Sequence, residues 1–395
     1  MLLGTPFHSR TAPLCQPQNW RNWSGYMVVG SYEMSPEREY AAIRNAAALI
    51  DVSPLMKYRL SGPDAARLLN RVVTRDVAKC AVGQVLYTPW CDAHGKVIDD
   101  GTVTRLDEQS FRLTAAEPNL RWLHLNATGL KVQIEDISES TAALALQGPL
   151  SRAILSEVSR ARLDNLKYFR QSAARLGGVS ALVSRTGYTG DLGYEIWMEA
   201  KDAPQVWDVL MKAGEGYGIT PGGILALDLA RIEAGLIMLD VDYTSTSHAL
   251  IEDQKSSPYE LSLGWTVNLD KEFFVGKQAL AAEKKRGAAW QFTGLEVDWV
   301  SFERLHNRFG LPPRVPGAAW RQSTPVYVDG LAVGYASSGC WSPLLKQYIA
   351  LAHLRSDYAT PGRDVTLEIT VEHQRHQAAA KVVKTPFFEP ERKKA

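Results

Sequence analysis

The chain has 395 residues, 45% apolar and 22% charged, with 44 Lys and Arg against 43 Asp and Glu for a net charge of +1. That length exceeds one compact core and predicts two or three domains of an ordinary soluble protein. The near-neutral balance offers no bulk field for nucleic acid or an anionic membrane. No run approaches the roughly 18 apolar residues of a membrane span, and the N-terminus lacks the charged-then-apolar secretory pattern. The cysteines Cys15, Cys80, Cys91 and Cys340 are far apart and read as reduced thiols of a cytoplasmic protein.

In chain order, residues 1–45 are expected to be largely irregular, with a helix from Pro36 to Leu49 capped by Ser35 and with Glu37 and Glu39 in its first turn. Lys57 to Leu60 reads as a strand, and the turn Ser61-Gly62-Pro63-Asp64 leads into a helix with Ala65, Leu68, Leu69 and Val72 on one face. Strands are expected over Val85 to Trp90, Val97 to Thr104 and Ser110 to Thr114, then a helix over Pro118 to Leu125. Val132 to Ile137 and Ala142 to Gln147 read as further strands, with helices from Leu150, over Trp207 to Ala213 and over Leu225 to Ile237. The alternation between about 50 and 240 predicts two α+β units of split-βαβ, ferredoxin-like type. From about 280 the pattern becomes all-β: Trp290 to Val297, Thr324 to Tyr327, Ala332 to Ser337, Tyr348 to His353, Asp364 to Val371 and Ala379 to Val383 predict a C-terminal β-barrel. Leu305 to Arg321, with three prolines, reads as an inserted loop.

The most informative stretch is Val183 to Glu195, a strand, a turn carrying Gly187, Gly190 and Gly193, and a second strand that resumes at Tyr194. Glycines suit a backbone that bends sharply or meets a flat ligand. Alternation puts Glu195 and Trp197 on one face and Ile196 on the other. A carboxylate on such a hairpin suits a planar heterocycle with two parallel N–H donors, as in a pterin. The segment resembles the signature of the glycine-cleavage T-protein (aminomethyltransferase) family of folate-dependent one-carbon transferases. Further short matches follow in the same order: Ile50-Asp51-Val52-Ser53, Gly95 to Asp100, Leu146-Gln147-Gly148-Pro149, Ala226 to Gly235, Phe274 to Leu280 and Ser338 to Pro343. Each is weak alone, and their colinearity along the chain carries the resemblance.

The resemblance implies an α+β fold of two ferredoxin-like units and a barrel around a central folate channel. The expected division is an N-terminal segment at 1–50, a unit with the active-site Asp loop at 51–135, a unit with the pterin-binding hairpin at 136–275, and the barrel at 276–395. Asp100 would lie beside the reactive N5 of tetrahydrofolate, as a proton-handling or electrostatic group; an arbitrary Asp-Asp pair at a turn would instead serve as a cap. Glu195 would clamp the pterin. Tyr87, Tyr168 and Tyr188 fall where the family places folate-contacting tyrosines, although each also fits a half-buried strand tyrosine. Trp341 either lines the ligand channel or packs in the core. Arg231 and Glu233, two apart on a helix, read equally as structural or functional. No metal is expected, since His373 and His376 lie in a strand-like region without other ligands nearby.

The departures from the family pattern point to the donor side. Ala115 stands where an Asn is usual, Leu227 where the helix motif carries an Arg, Pro54 and Leu55 where His-Met follows Asp-Val-Ser, and Leu236 where a Tyr is usual. Arg304, Arg308 and Arg314 are candidates to meet the folate tail, and Tyr26, Trp90 and His94 to protonate a leaving group. These losses favour a demethylase that moves a methyl group from a small O-, S- or N-methylated compound to tetrahydrofolate, with neither nucleic acid nor membrane as partner. The alternatives are an aminomethyltransferase served by a lipoyl carrier protein and a non-catalytic folate-binding module. Oligomeric state is left open.

Overall fold

The computed structural model describes residues 2–159, 163 and 165–395. Two α+β units and a closed barrel surround a central cavity. The first unit is a five-stranded antiparallel sheet in the spatial order Val85–Cys91, Val97–Arg105, Ser110–Ala115, Met56–Ser61, Gln133–Asp136. Helices Ala65–Val72 and Leu120–Asn126 cover one face through Leu68, Leu69, Val72 and Leu123, all fully buried. The second unit is a six-stranded sheet in the order Gln171–Leu176, Val179–Ser184, Gly193–Glu199, Thr141–Gln147, Ala47–Asp51, Ile219–Gly222. Its helices Ser151–Val158 and Ala203–Gly214 pack on the face that carries Tyr194 and Ile196. The barrel closes through Trp290–Val297, Gln347–Arg355, Leu331–Ser342, Thr324–Val328, Asp364–Val371 and Gln374–Val383, and closure removes any exposed strand edge.

Most predicted elements fall where periodicity puts them, and the departures concentrate in the first fifty residues. Leu3–Gly4, Tyr26–Ser31 and Asn19–Trp23 form a small sheet where irregular chain was expected. The helix expected over Pro36 to Leu49 ends at Asn45. Ala47–Asp51 is instead a strand, antiparallel to Thr141–Gln147 on one side and parallel to Ile219–Gly222 on the other. An alanine-rich apolar run satisfies helix propensity, but with a partner on both edges it buries all five residues and pairs their backbone, and tertiary pairing prevails. Leu305 to Arg321 is a loop only in part, since helix Trp299–Asn307 extends into it. No helix among the described residues is long and apolar enough to cross a membrane. All four cysteines are free and buried.

The helix Ile224–Glu233 buries three charged side chains, and each has a reason. Glu233 accepts from Tyr40 Oη at 2.5 Å, Arg44 Nη2 at 2.6 Å and Ser342 Oγ at 2.5 Å, which ties the N-terminal helix, this helix and the barrel together. Arg231 donates to Asp228 at 2.8 Å and to Asp242 by a shorter bond, and Asp242 also accepts from Ser337 and Ser338 at 2.6 and 2.7 Å. Both residues are therefore interdomain struts, since a buried charge is tolerated only when paired and hydrogen-bonded.

Candidate active site at the junction of the three domains

The glycine hairpin owes its composition to packing as much as to bending. Gln147 projects from the neighbouring strand into the loop, donating to the Thr186 carbonyl at 3.3 Å and accepting from Thr189 Oγ1 at 2.8 Å. A Cβ on Gly187 or Gly193 would lie 2.1 or 2.3 Å from the Gln147 amide oxygen, so a larger residue at either position would have to displace the Gln147 amide from its hydrogen bonds. Only Gly190 of the three has a left-handed backbone, at φ +72°. The loop thus presents Thr186, Tyr188 and the start of the next strand to a cavity of about 1520 Å³ bounded by both α+β units, the 315–322 loop and the C-terminal segment. That exceeds the roughly 300–1,000 Å³ of a site for one small ligand, and leaves room for an acceptor and a donor together.

Glu195 lines this cavity beside Trp197, as strand alternation predicts. Its Oε2 accepts from Thr186 Oγ1 at 2.5 Å, and its Oε1 has no hydrogen-bond partner among the described residues. Arg112 supplies the nearby positive charge. It reaches from the five-stranded sheet, stacks 3.9 Å above the Trp197 ring and donates to Gln171 at 2.8 Å. Burial pushes the Glu195 pKa up, and the Thr186 hydrogen bond and the Arg112 charge oppose that rise. Burial also pushes Arg112 down to about 10, again opposed by Glu195. A carboxylate oxygen left open toward a cavity, with a fixed cation behind it, is an acceptor prepared for N–H donors. This donor-seeking oxygen fits the pterin of tetrahydrofolate.

The two aspartates expected on a loop lie within the strand Val97–Arg105, paired with Trp90 and Pro89 of the neighbouring strand, and they take different parts. Asp99 points inward, where its oxygens accept from the Asp100 N–H at 2.7 Å, the Glu117 N–H at 3.1 Å and Asn119 Nδ2 at 2.8 Å. Asn119 in turn accepts from the Trp90 indole at 3.0 Å. Asp100 lines the cavity and accepts from Tyr87 Oη at 2.8 Å and from Tyr243 Oη by a shorter bond. Burial raises the Asp100 pKa, and the two phenol hydrogen bonds hold it back. Asp99 is raised well above the usual carboxylate range by burial and then by the Asp100 charge.

Tyr87, Tyr168 and Tyr188 all line the cavity. Tyr188 also donates to the Ile237 carbonyl by a short bond, which fixes the chain after the Arg231 helix. Trp341 does not line it. Its ring packs 4.9 Å from Trp299 and faces a separate hollow with Tyr40 and Arg44. The cause is strand alternation: Cys340 and Trp341 point to opposite faces, and Cys340 takes the interdomain core. Nor do the other neighbourhood candidates reach the wall. Trp90 is consumed by Asn119, His94 is in an exposed turn, and Tyr26, Arg304, Arg308 and Arg314 are not among the lining residues. Of the five residues that depart from the family pattern, Leu55, Ala115, Leu227 and Leu236 line the cavity, and Pro54 is buried away from it. Sequence reasoning missed Tyr243 and Arg112. Arg112 left one readable sign, a lone cation inside the apolar strand Ser110–Ala115, which demands a partner.

The sequence matches the family description "GCVT N-terminal domain" over residues 12–271 and "Glycine cleavage T-protein C-terminal barrel domain" over residues 308–389. The chain belongs to the glycine-cleavage T-protein family. Similar curated proteins include an aminomethyltransferase of Halothermothrix orenii, 35% identical over 89% of this chain and 90% of that protein. A second, from Moorella thermoacetica, is 35% identical over 93% of each. The trimethylamine-oxide aldolase of Ruegeria pomeroyi is 32% identical over 98% of this chain, which corresponds to 47% of that longer protein. The crystal structure of aminomethyltransferase T from Bartonella henselae shares the fold, with a TM-score of 0.83, 22% identity and coverage of 98% of this chain and 99% of that one. The protein is a folate-dependent enzyme of one-carbon transfer, and the non-catalytic alternative falls away.

Proposed function

We propose that this member of the family is a demethylase that transfers a methyl group from oxygen, sulfur or nitrogen of a small donor to tetrahydrofolate. The observation that carries the reading is the apolar wall formed where the family pattern has polar or aromatic groups: Ala115, Leu227 and Leu236 face the cavity together with Ile237 and Leu239. Such a wall suits an uncharged methylated body, aliphatic or aromatic, better than an aminomethyl-lipoyl arm. The 98% coverage of this chain by a relative named for trimethylamine oxide, an N-methylated compound, supports a small methylated substrate.

Tetrahydrofolate supplies the secondary amine N5 that accepts the one-carbon unit. Glu195 binds and orients the pterin edge through its open oxygen, and the Thr186 hydrogen bond and the Arg112 charge oppose its protonation. Tyr87, Tyr168 and Tyr188 enclose the ring system and exclude water. Asp100 takes the proton that N5 loses and returns it to the departing heteroatom, whose bond to carbon breaks with the electron pair on the donor. Its raised pKa brings acid and base forms closer to working pH. Alignment of the two substrates supplies most of the remaining acceleration.

The second reading is an aminomethyltransferase that uses a lipoyl carrier protein, favoured by the names of relatives that cover 84–93% of this chain. One experiment separates the two. The enzyme is incubated with tetrahydrofolate and either aminomethylated lipoyl protein or a panel of methoxy-aromatics, sulfonium compounds and methylamines, and the folate products are read by mass spectrometry. Methyl-tetrahydrofolate from a panel member is the expected result. Ammonia release and methylene-tetrahydrofolate with the lipoyl protein, with silence from the whole panel, would establish the second reading instead.

A further inference from the structure

We propose that Arg321 is the carboxylate-recognition residue of the cavity, a role that no motif in the sequence marks. This assignment rests on the cavity's being the substrate site of the one-carbon transfer, and it follows from how the cationic side chains on its wall are used. Four line the cavity: Arg21, Arg321, Lys393 and Lys394. Lys393 and Lys394 both pair with Glu389, at 3.3 and 2.7 Å. Arg21 is exposed, donates through Nη1 to the Trp20 carbonyl at 3.0 Å and has no carboxylate among the described residues to anchor its fork. Arg321 is different. Its Nε donates to Asp228 Oδ2 at 2.8 Å, and its two terminal amino groups have no hydrogen-bond partner among the described residues.

The anchor is rigid. The Asp228 side chain is 1% exposed, and its other oxygen accepts from the fully buried Arg231 at 2.8 Å. The backbone next to Arg321 is fixed as well. Trp320 exchanges two backbone hydrogen bonds with Gly339 of the barrel, at 2.9 and 3.1 Å, and its indole donates to Tyr348 at 3.0 Å. A Cβ on Gly339 would lie 2.4 Å from the indole ring, so glycine there is what lets Trp320 lie flat against the barrel. A loop residue that would otherwise sample many rotamers is thereby held from both sides.

An arginine bound through Nε still presents the two amino groups at the end of its planar fork. That end matches the two oxygens of a carboxylate, where a lysine would offer only a point charge. Asp228 and Asp242 balance Arg231 and Arg321 in the same cluster, so the fork is neutralised before any ligand arrives. Recognition is therefore by directed hydrogen bonds. Leu227, next to Asp228 on its helix, belongs to the apolar wall, which gives a ligand with an apolar body and an anionic end both of the surfaces it needs. Within the family pattern the arginine of this helix is lost at Leu227; Arg321 returns a guanidinium to the same helix from a different element.

Two ligand groups carry such a carboxylate, the glutamate tail of folate and an acid function on the methyl donor. Dissociation constants by titration calorimetry distinguish them, for wild type, Arg321→Ala and Arg321→Gln. The ligands are tetrahydrofolate against tetrahydropteroate, which lacks the glutamate, and methoxybenzoate against methoxybenzene. In one pair the carboxylated ligand should weaken roughly tenfold to a hundredfold in both variants while its partner stays within about twofold. The pair that responds names the source. Gln keeps a donor for Asp228, so it separates loss of the fork from loss of a partner to a buried carboxylate. Equal loss for both members of both pairs, or no loss in either pair, overturns the assignment. Failure of the demethylase reading would appear instead as absence of methyl-tetrahydrofolate with every donor, which leaves these constants readable.

Discussion

Replacing Glu195 by Gln tests the proposed pterin clamp with the least disturbance of shape. The wild-type carboxylate spends one oxygen on Thr186 at 2.5 Å and keeps the other open. Two parallel N–H donors need two acceptor sites, and an amide offers one oxygen and one competing donor. The loss is one charge-assisted hydrogen bond plus weakening of its neighbour, or about 2–4 kcal/mol, a factor of roughly 30 to 1,000 in Kd. Arg112 lies buried against Trp197 and loses its counter-charge in the variant, so a modest fall in Tm should accompany the change. Titration calorimetry with tetrahydrofolate reads the affinity, and thermal unfolding shows that both proteins are folded. The pH dependence supplies a second signature. Burial raises the Glu195 pKa, and the ionised form is the one that accepts two donors, so wild-type affinity should weaken as pH falls toward that raised value. The variant should lose this slope. A Kd within about twofold of wild type in a folded variant would refute the clamp.

Asp100→Asn should lower single-turnover methyl transfer about a hundredfold or more while tetrahydrofolate affinity stays within about threefold. Tyr243→Phe removes a hydrogen bond that lowers the Asp100 pKa, so the acidic limb of the pH–kcat profile should move to higher pH; an unmoved limb would exclude Asp100 as the titrating base. Gly101→Ala would place a Cβ 1.9 Å from the Thr114 carbonyl oxygen of the adjoining strand; the neighbouring atom is backbone, so we expect a loss of about 2 kcal/mol or more, read from denaturant unfolding. Stability should also respond to pH. Asp99 and Asp100 hold protons more tightly in the folded protein than in the unfolded chain, so their contribution is full below about pH 4 and is lost as pH rises through the raised values. Asp100→Asn should reduce that slope in urea midpoints measured across pH.

What the sequence by itself determined is what local pattern can carry. Alternation placed Glu195 and Trp197 on one face, and the glycine spacing marked the hairpin. Strand-length apolar runs announced the barrel, and the colinear motifs announced the family. Asp100 was legible because its motif is contiguous, although the residue lies on a strand and not on a loop. The tertiary structure alone decided the rest, because the deciding contacts join residues far apart in the chain. Tyr243 meets Asp100 across 143 positions, and Arg321 meets Asp228 across 93. Gly187 and Gly193 had a local explanation in turn chemistry, but the group packed against them is the Gln147 side chain from another strand. Ala47–Asp51 carries helix-like composition and becomes a strand because two partners bury it and pair its backbone. Trp341 sits in a contiguous motif, yet which face its ring takes was fixed by barrel register, where it lies opposite Tyr348 and packs on Trp299. Local propensity differs by tenths of a kcal/mol per residue, whereas burial of one large side chain or pairing of one buried charge is worth about 1.5–3 kcal/mol. Wherever the two disagreed, the long-range contact set the outcome.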